Sequence, residues 1–121
     1  SSALQTQLFQ FKANTLSPDC GNILVFEDNL TPDEIRRFSL ILSERCLATA
    51  AVFSGSDALG YRFAVSDAVH DVRSYAKELS SAFSGRGGGP KELVQGSVSG
   101  MQKEVISFFQ KKSFHYTEFE Q

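Results

Sequence analysis

The sequence of 121 residues is long enough for one domain with a core of its own. A hydrophobic fraction of 41% excludes a disordered chain, and no apolar run approaches the ~20 residues that a membrane-spanning helix needs. The net charge of -2 argues against a strongly basic nucleic-acid binder, but residues 73–112 carry seven basic and three acidic side chains, so the charge is unevenly distributed.

The first half of the chain predicts two helices and a strand. Leu4, Leu8 and Phe11 recur at helical spacing within residues 1–16, which we interpret as the end of a helical arm that connects this domain to the rest of a longer protein. The apolar run of residues 23–26 predicts a buried strand. A capping box with Thr31, Pro32 and Glu34 begins a second helix. The predicted buried stripe of this helix is Ile35, Phe38, Ile41, Leu42 and Cys46.

The second half predicts three strands and two helices. The strands are expected over residues 47–53, 59–65 and 93–98, with a hairpin turn at 54–57. One helix is expected over residues 69–83, and another around Val105 and Phe109. The predicted buried residues of the first of these helices are Val69, Val72, Tyr75, Ala76, Leu79 and Phe83. The expected fold is an α/β (mixed α+β) domain over residues 20–112, in which helices pack on a four-stranded mixed sheet and residues 113–121 form a polar tail.

The two cysteines, Cys20 and Cys46, lack the spacing of a metal site. A disulfide between them is one interpretation. Because the N-terminus has no secretory signal, we expect a cytoplasmic protein and therefore predict two reduced thiols. No metal or other cofactor is expected in this chain.

The segment from Gly85 to Pro90 is the strongest functional signal in the sequence. One glycine is enough to end the preceding helix. The other glycines either form a flexible surface loop or have a functional role. A functional role would be to let the backbone approach an anion closely and turn its amides toward that anion, which glycine permits. The segment fits neither a P-loop nor a dinucleotide-binding fingerprint, because Pro90 follows the last glycine. We predict a backbone cradle for nucleic-acid phosphate.

Residues 85–96, with the order Gly-Gly-Gly-Pro-Lys-Glu-Leu-Val-Gln-Gly within them, resemble the glycine-rich signature of the DHH-associated domain. That domain is the C-terminal domain of alanyl-tRNA synthetases, of the long AlaX-type alanyl-tRNA editing proteins and of DHH phosphoesterases. In the phosphoesterases a histidine typically follows the glycine triplet, and Pro90 occupies that position here. The resemblance therefore implies the tRNA-linked branch, in which the domain contacts the outer corner of tRNA. The zinc of the editing chemistry would belong to a different domain of the parent protein.

The resemblance and the local basic excess together predict an accessory domain that binds tRNA, expected to be alanine tRNA, and that has no catalytic residues of its own. The predicted nucleic-acid-binding residues are Gly85, Arg86, Gly87, Gly88, Gly89, Lys91, Gln95, Gly96, Arg73, Lys77 and Lys103. Arg86 is the leading candidate, because a planar donor among residues without side chains is well placed to meet phosphate or a base.

Two alternatives remain open at this stage. One is the substrate-binding half of a DHH-type phosphoesterase, and the other is a dimerisation module that uses the N-terminal helix to form a homodimer. The remaining polar candidates have simpler explanations. Asp57, Asp67 and Asp71 suit turns and helix caps, Tyr61 and Tyr75 suit the core, and His70 and His115 suit the surface.

Overall fold

The computed structural model describes residues 2–120. Its helices are α1 (Ser2–Asn14), α2 (Pro32–Cys46), α3 (Arg73–Phe83) and α4 (Gln102–Gln110). Its strands are β1 (Ile23–Phe26), β2 (Ala50–Ser56), β3 (Gly60–Ser66), β4 (Gly85–Gly88), β5 (Leu93–Val98) and β6 (His115–Thr117). None of the helices within the described residues is long and apolar enough to cross a membrane.

The strands form one mixed sheet in the order β4-β5-β3-β2-β1-β6. Strand β1 runs parallel to both β2 and β6, and the remaining neighbours are antiparallel. The predicted α/β class is confirmed, but the prediction of four strands is wrong. The two additional strands, β4 and β6, lie at the two edges of the sheet. They come from the glycine-rich segment and from the supposed polar tail.

Helices cover the two faces of the sheet in pairs. Helices α1 and α2 pack on one face, called here the α2 face, around Ile23, Val25 and Phe38. Helices α3 and α4 pack on the other, the α3 face, around Leu24, Phe53 and Phe63. Because side chains alternate along a strand, neighbours in sequence point to opposite faces. Helix α2 lies mainly over β2 and β3.

The start of α2 follows the prediction. Thr31 accepts a hydrogen bond from the amide of Glu34, and the Glu34 carboxylate accepts one from the amide of Thr31. The predicted stripe is buried at Ile35, Phe38, Leu42 and Cys46.

The buried face of α1 differs from the prediction. Phe9 and Ala13 are buried, whereas Leu8 and Phe11 are 47% and 71% exposed. The Phe9 ring stacks on Phe38 with centroids 4.3 Å apart, so α1 is packed onto α2. Phe9 and Ala13 also lie one helical turn apart, as buried residues of a helix do. The sequence pattern instead favoured the face of Leu4, Leu8 and Phe11, because it carries more large apolar residues.

Helix α3 begins later than predicted, and Val69 is 84% exposed. The carboxylate of Asp67 accepts hydrogen bonds from the amides of Val69 and His70. This local turn occupies the residues that would have formed the first helical turn. The C-terminal residues also depart from a free tail: His115–Thr117 pair with β1, and Phe114 is buried.

Cys20 and Cys46 are joined by a disulfide, so the prediction of reduced thiols is wrong. Their Cα atoms lie 5.7 Å apart, a usual separation for bonded cysteines. The bond links the loop before β1 to the last turn of α2. The prediction was based on the expected compartment, whereas the packing of α2 against this loop brings the two residues together.

Candidate nucleic-acid interface

The glycine-rich segment is an edge strand rather than a loop. Residues 85–88 form β4 and pair antiparallel with β5, and all four are exposed. An edge strand leaves half of its backbone amides and carbonyls without a strand partner. The segment therefore presents backbone polar groups to solvent in an extended conformation and along one line, rather than as a curved loop.

Close packing leaves no room for a side chain at most of these glycines, and Gly87 and Gly96 show it over the Phe63 ring. A Cβ atom at Gly96 would lie 2.1 Å from the carbonyl oxygen of Arg86 and 2.9 Å from the ring of Phe63. A Cβ atom at Gly87 would lie 2.9 Å from the same ring. Gly87 and Gly96 are directly paired, so β4 and β5 approach each other over the Phe63 ring only without side chains at these positions. At Gly88 no atom of the described residues lies within 4 Å of the added atom.

The strand register aligns two arginines on the α2 face. Arg62 of β3 is paired with Ser97 of β5, and Ser97 is paired with Arg86 of β4. Paired residues point to the same face of a sheet, so Arg62 and Arg86 project from one surface with Ser97 between them. Neighbouring strands lie ~4.8 Å apart. Because β5 lies between β3 and β4, the Cα atoms of Arg62 and Arg86 are about 10 Å apart.

The surface formed by Arg62, Gln95, Ser97 and Arg86 is called here the open strand face. Arg62, Ser97 and Arg86 are exposed. Helix α2 lies mainly over β2 and β3, so it leaves β4 and β5, with Arg86 and Ser97, uncovered. Gln95 is half-buried and donates a hydrogen bond from Nε2 to the carbonyl oxygen of Pro32, at 3.3 Å. Within residues 2–120 neither guanidinium group has a hydrogen-bonded or ion-paired partner. Both are free to bind an anion.

The opposite side of β4 is flanked by the predicted basic residues of α3. Glu78 accepts a hydrogen bond from Lys112, which follows the end of α4, so the flank of α3 that carries Glu78 faces the α4 side. Helical periodicity places Arg73 and Lys77 on the other flank, toward the β4 edge. Arg73 is bound to Asp71 at 2.6 Å, and this hydrogen-bonded guanidinium lowers the pKa of the Asp71 carboxyl to about 2. Lys77 has no such partner in the described chain.

The other predicted site residues occupy two places. Lys91 lies in the turn between β4 and β5, where its carbonyl oxygen accepts a 2.7 Å hydrogen bond from the amide of Val72. Gly85 begins β4, and Gly89 follows its last residue. Lys103 stands apart on α4, in a groove that also contains Phe83 and Phe108. The structure thus groups the predicted residues around the β4 edge, except Lys103.

The polar residues assigned to structural roles have those roles. Asp57 accepts hydrogen bonds from the Tyr61 hydroxyl and from the amide of Gln102 at the start of α4. Burial, aided by Asp57, raises the pKa of Tyr61 to about 12. Asp71 accepts from the amide of Arg73 at the start of α3. Tyr75 packs between Phe109 and Phe114.

Arg62 and Ser97 are the residues of the open strand face that the sequence prediction did not include. Arg62 alternates with the buried Tyr61 and Phe63 along β3, and such alternation places its side chain on the opposite face of the sheet. An arginine in the interior of a strand with buried neighbours is itself a signal, because a charged side chain there needs a partner or solvent.

The sequence matches no family model and no curated protein. The fold, however, is similar to that of a solved structure, the C-Ala domain from Aquifex aeolicus alanyl-tRNA synthetase, with a TM-score of 0.64. The two are 17% identical, and the similarity covers 74% of this chain and 87% of the other. At this identity the likeness shows a shared fold.

Proposed function

We propose that this chain is an RNA-binding accessory domain, with tRNA as its ligand. The observation that carries the proposal is the open strand face, on which Arg62 and Arg86 project together without a partner among the described residues. Guanidinium groups bind phosphate oxygens in a bidentate manner, and the exposed backbone of β4 adds further donors. Lys77 and Lys91 extend the positive charge around the same edge.

The fold and the glycine-rich segment support tRNA as the RNA. The solved structure with a similar fold is a domain of an alanyl-tRNA synthetase. The resemblance of residues 85–96 to the DHH-associated domain indicates the same group of proteins, including the free-standing editing proteins of the AlaX type. We accordingly propose that the parent protein is an alanyl-tRNA synthetase or an alanyl-tRNA editing hydrolase, and that this domain holds alanine tRNA for the catalytic domain.

Fluorescence anisotropy of labelled alanine tRNA at low salt tests the proposal. Arg62→Ala and Arg86→Ala are each expected to weaken binding by about 1.5–3 kcal/mol, the usual contribution of a charged hydrogen bond. Lys111→Ala is the matched control, because this exposed lysine at the end of α4 lies on the other face of the sheet. An unrelated RNA hairpin measures the preference for tRNA.

Two results would contradict the proposal. Absence of binding to either RNA at low salt would exclude RNA binding by the chain, since phosphate contacts are strongest there. Equal losses in Lys111→Ala and in the two arginine variants would show diffuse charge attraction rather than a site on the open strand face.

We further propose that α1 mediates a homodimer, as the sequence suggested. The exposed Leu8 and Phe11 on its outer face support this. Sedimentation velocity tests it: the wild type should sediment as a dimer and Phe11→Lys as a monomer. Val69→Lys, which alters an equally exposed apolar residue elsewhere, should remain dimeric. A monomeric wild type would refute this arrangement.

A further inference from the structure

A polar groove of about 660 Å³ opens at one end of the sheet, next to the open strand face. It lies where β1 and β2 end, and it also includes the start of β3 and the end of β5. The carboxyl ends of parallel strands are a common place for ligand sites, and this volume is within the range of such sites. Arg62 and Ser97 belong both to the groove and to the open strand face.

The described residues that line the groove combine a cation, a carboxylate and many hydroxyl groups. Arg62 supplies guanidinium donors and Asp28 supplies carboxylate acceptors. In the described part of the chain neither side chain has a hydrogen-bonded or ion-paired partner. The hydroxyl groups are those of Ser54, Ser56, Ser84, Ser97 and Ser99.

Among the residues that the structure describes, the lining offers no aromatic platform for a nucleobase. Its aromatic member is Tyr61, whose side chain is buried and whose hydroxyl donates to Asp57 at 2.6 Å. Leu59 is 92% exposed at the rim and provides apolar surface without a ring. Bases are usually held by stacking on aromatic rings, so this groove suits a sugar and its phosphate instead.

Two residues that line the groove have a left-handed backbone. Asn29 and Ser84 have φ angles of 58° and 50°, in the left-handed region that residues other than glycine rarely adopt. Both line the groove. Ser84 has this conformation as the C-cap of α3, so the end of that helix fixes one wall of the groove.

We propose that the groove binds the ribose phosphate of one nucleotide of an RNA strand and that Asp28 distinguishes RNA from DNA. The inference rests on the proposed function, because the strand would reach the groove from the open strand face. Arg62 binds the phosphate. Asp28 accepts a hydrogen bond from the ribose 2′-hydroxyl, the group that DNA lacks. No base is selected.

Nuclear magnetic resonance titration of the whole chain with adenosine 5′-monophosphate, its 2′-deoxy analogue and inorganic phosphate tests the inference. The ribonucleotide should shift the amide signals of Asn29, Gly60 and Ser99. It should bind roughly tenfold more tightly than the deoxy analogue, the factor expected for one hydrogen bond to a charged group. Asp28→Ala should abolish this preference, and Glu44→Ala, which removes an exposed carboxylate of α2 outside the groove, should keep it.

The outcomes separate this inference from the proposed function. Equal affinity for the two nucleotides, or shifts confined to other parts of the chain, would overturn the inference even if tRNA binds through Arg86. A retained preference in Asp28→Ala would remove Asp28 from the site. Failure of tRNA binding together with a 2′-hydroxyl preference that depends on Asp28 would leave the groove site standing and refute the tRNA function instead.

Discussion

Arg62 and Arg86 project from the same face of the sheet, because both lie in register with Ser97 on the strand between them. If each binds a phosphate, the salt dependence of RNA binding should reveal it. The slope of log K against log salt should become shallower by about 0.7–0.9 for each phosphate that the protein no longer neutralises. The double variant Arg62→Ala/Arg86→Ala should therefore reduce the slope about twice as much as either single variant. An unchanged slope would mean that these arginines bind bases or do not touch the RNA.

The pairing of Gly87 with Gly96 predicts how two similar substitutions differ in stability. Gly96→Ala places a methyl group against the backbone of β4 and against the Phe63 ring, so we expect the free energy of unfolding to fall by about 1–3 kcal/mol. Gly88→Ala, with open space around the added atom, should change it by less than about 0.5 kcal/mol. Urea unfolding of both variants measures this. If both variants lost a similar amount of unfolding free energy, glycine would be required at these positions for its backbone conformation rather than for the packing of β4 on β5.

Most of the fold could be predicted from side-chain patterns, and the missing elements are those without such patterns. Strand β1 and strand β5 have the predicted bounds, and the capping box marked the start of α2. Strand β4 has no hydrophobic periodicity, because glycine has no side chain to place on a face. Strand β6 is three residues long, too short for a recognisable pattern, and it forms because it pairs with the distant β1.

The candidate site was predictable only in part, for a related reason. The basic residues near the glycines could be read from the chain, but the alignment of Arg62 with Arg86 depends on the register of three strands. The exposure of Ser97 and Arg86 depends on α2 lying over β2 and β3 rather than over β4 and β5. Both are tertiary properties, which local sequence does not determine.

The disulfide between Cys20 and Cys46 predicts a redox-dependent stability. The bond closes a loop between residues 26 positions apart, so chain entropy alone gives a contribution of about 3.5 kcal/mol. Adding a reductant should lower the urea midpoint of the wild type and leave Cys20→Ser unchanged. Alkylation of the denatured, unreduced protein counts free thiols independently. Two alkylated cysteines, with a midpoint insensitive to reductant, would show that the pair is not bonded in solution.

The hydrogen bonds to the Asp67 carboxylate lead us to expect a loss of stability in acid. Burial favours its neutral form, but hydrogen bonds from the Thr49 hydroxyl and from the amides of His70 and Val69 outweigh burial, so the pKa of Asp67 lies below its ordinary value. A depressed pKa in the folded state contributes stability above the unfolded pKa of about 3.9, and this is lost as the pH falls through the folded value. The free energy of unfolding should therefore decrease below about pH 4.

Comparison with Asp67→Asn isolates this contribution from that of the other carboxylates. The variant cannot lose a proton at this position, so its stability at neutral pH should be lower and its dependence on pH below 4 weaker than in the wild type. Glu44→Gln, at an exposed carboxylate without a bonded partner in the described chain, should follow the wild-type curve. Urea unfolding across the acid range provides both curves. Parallel curves for Asp67→Asn and the wild type would mean that the Thr49 and amide hydrogen bonds do not hold the charged form of Asp67.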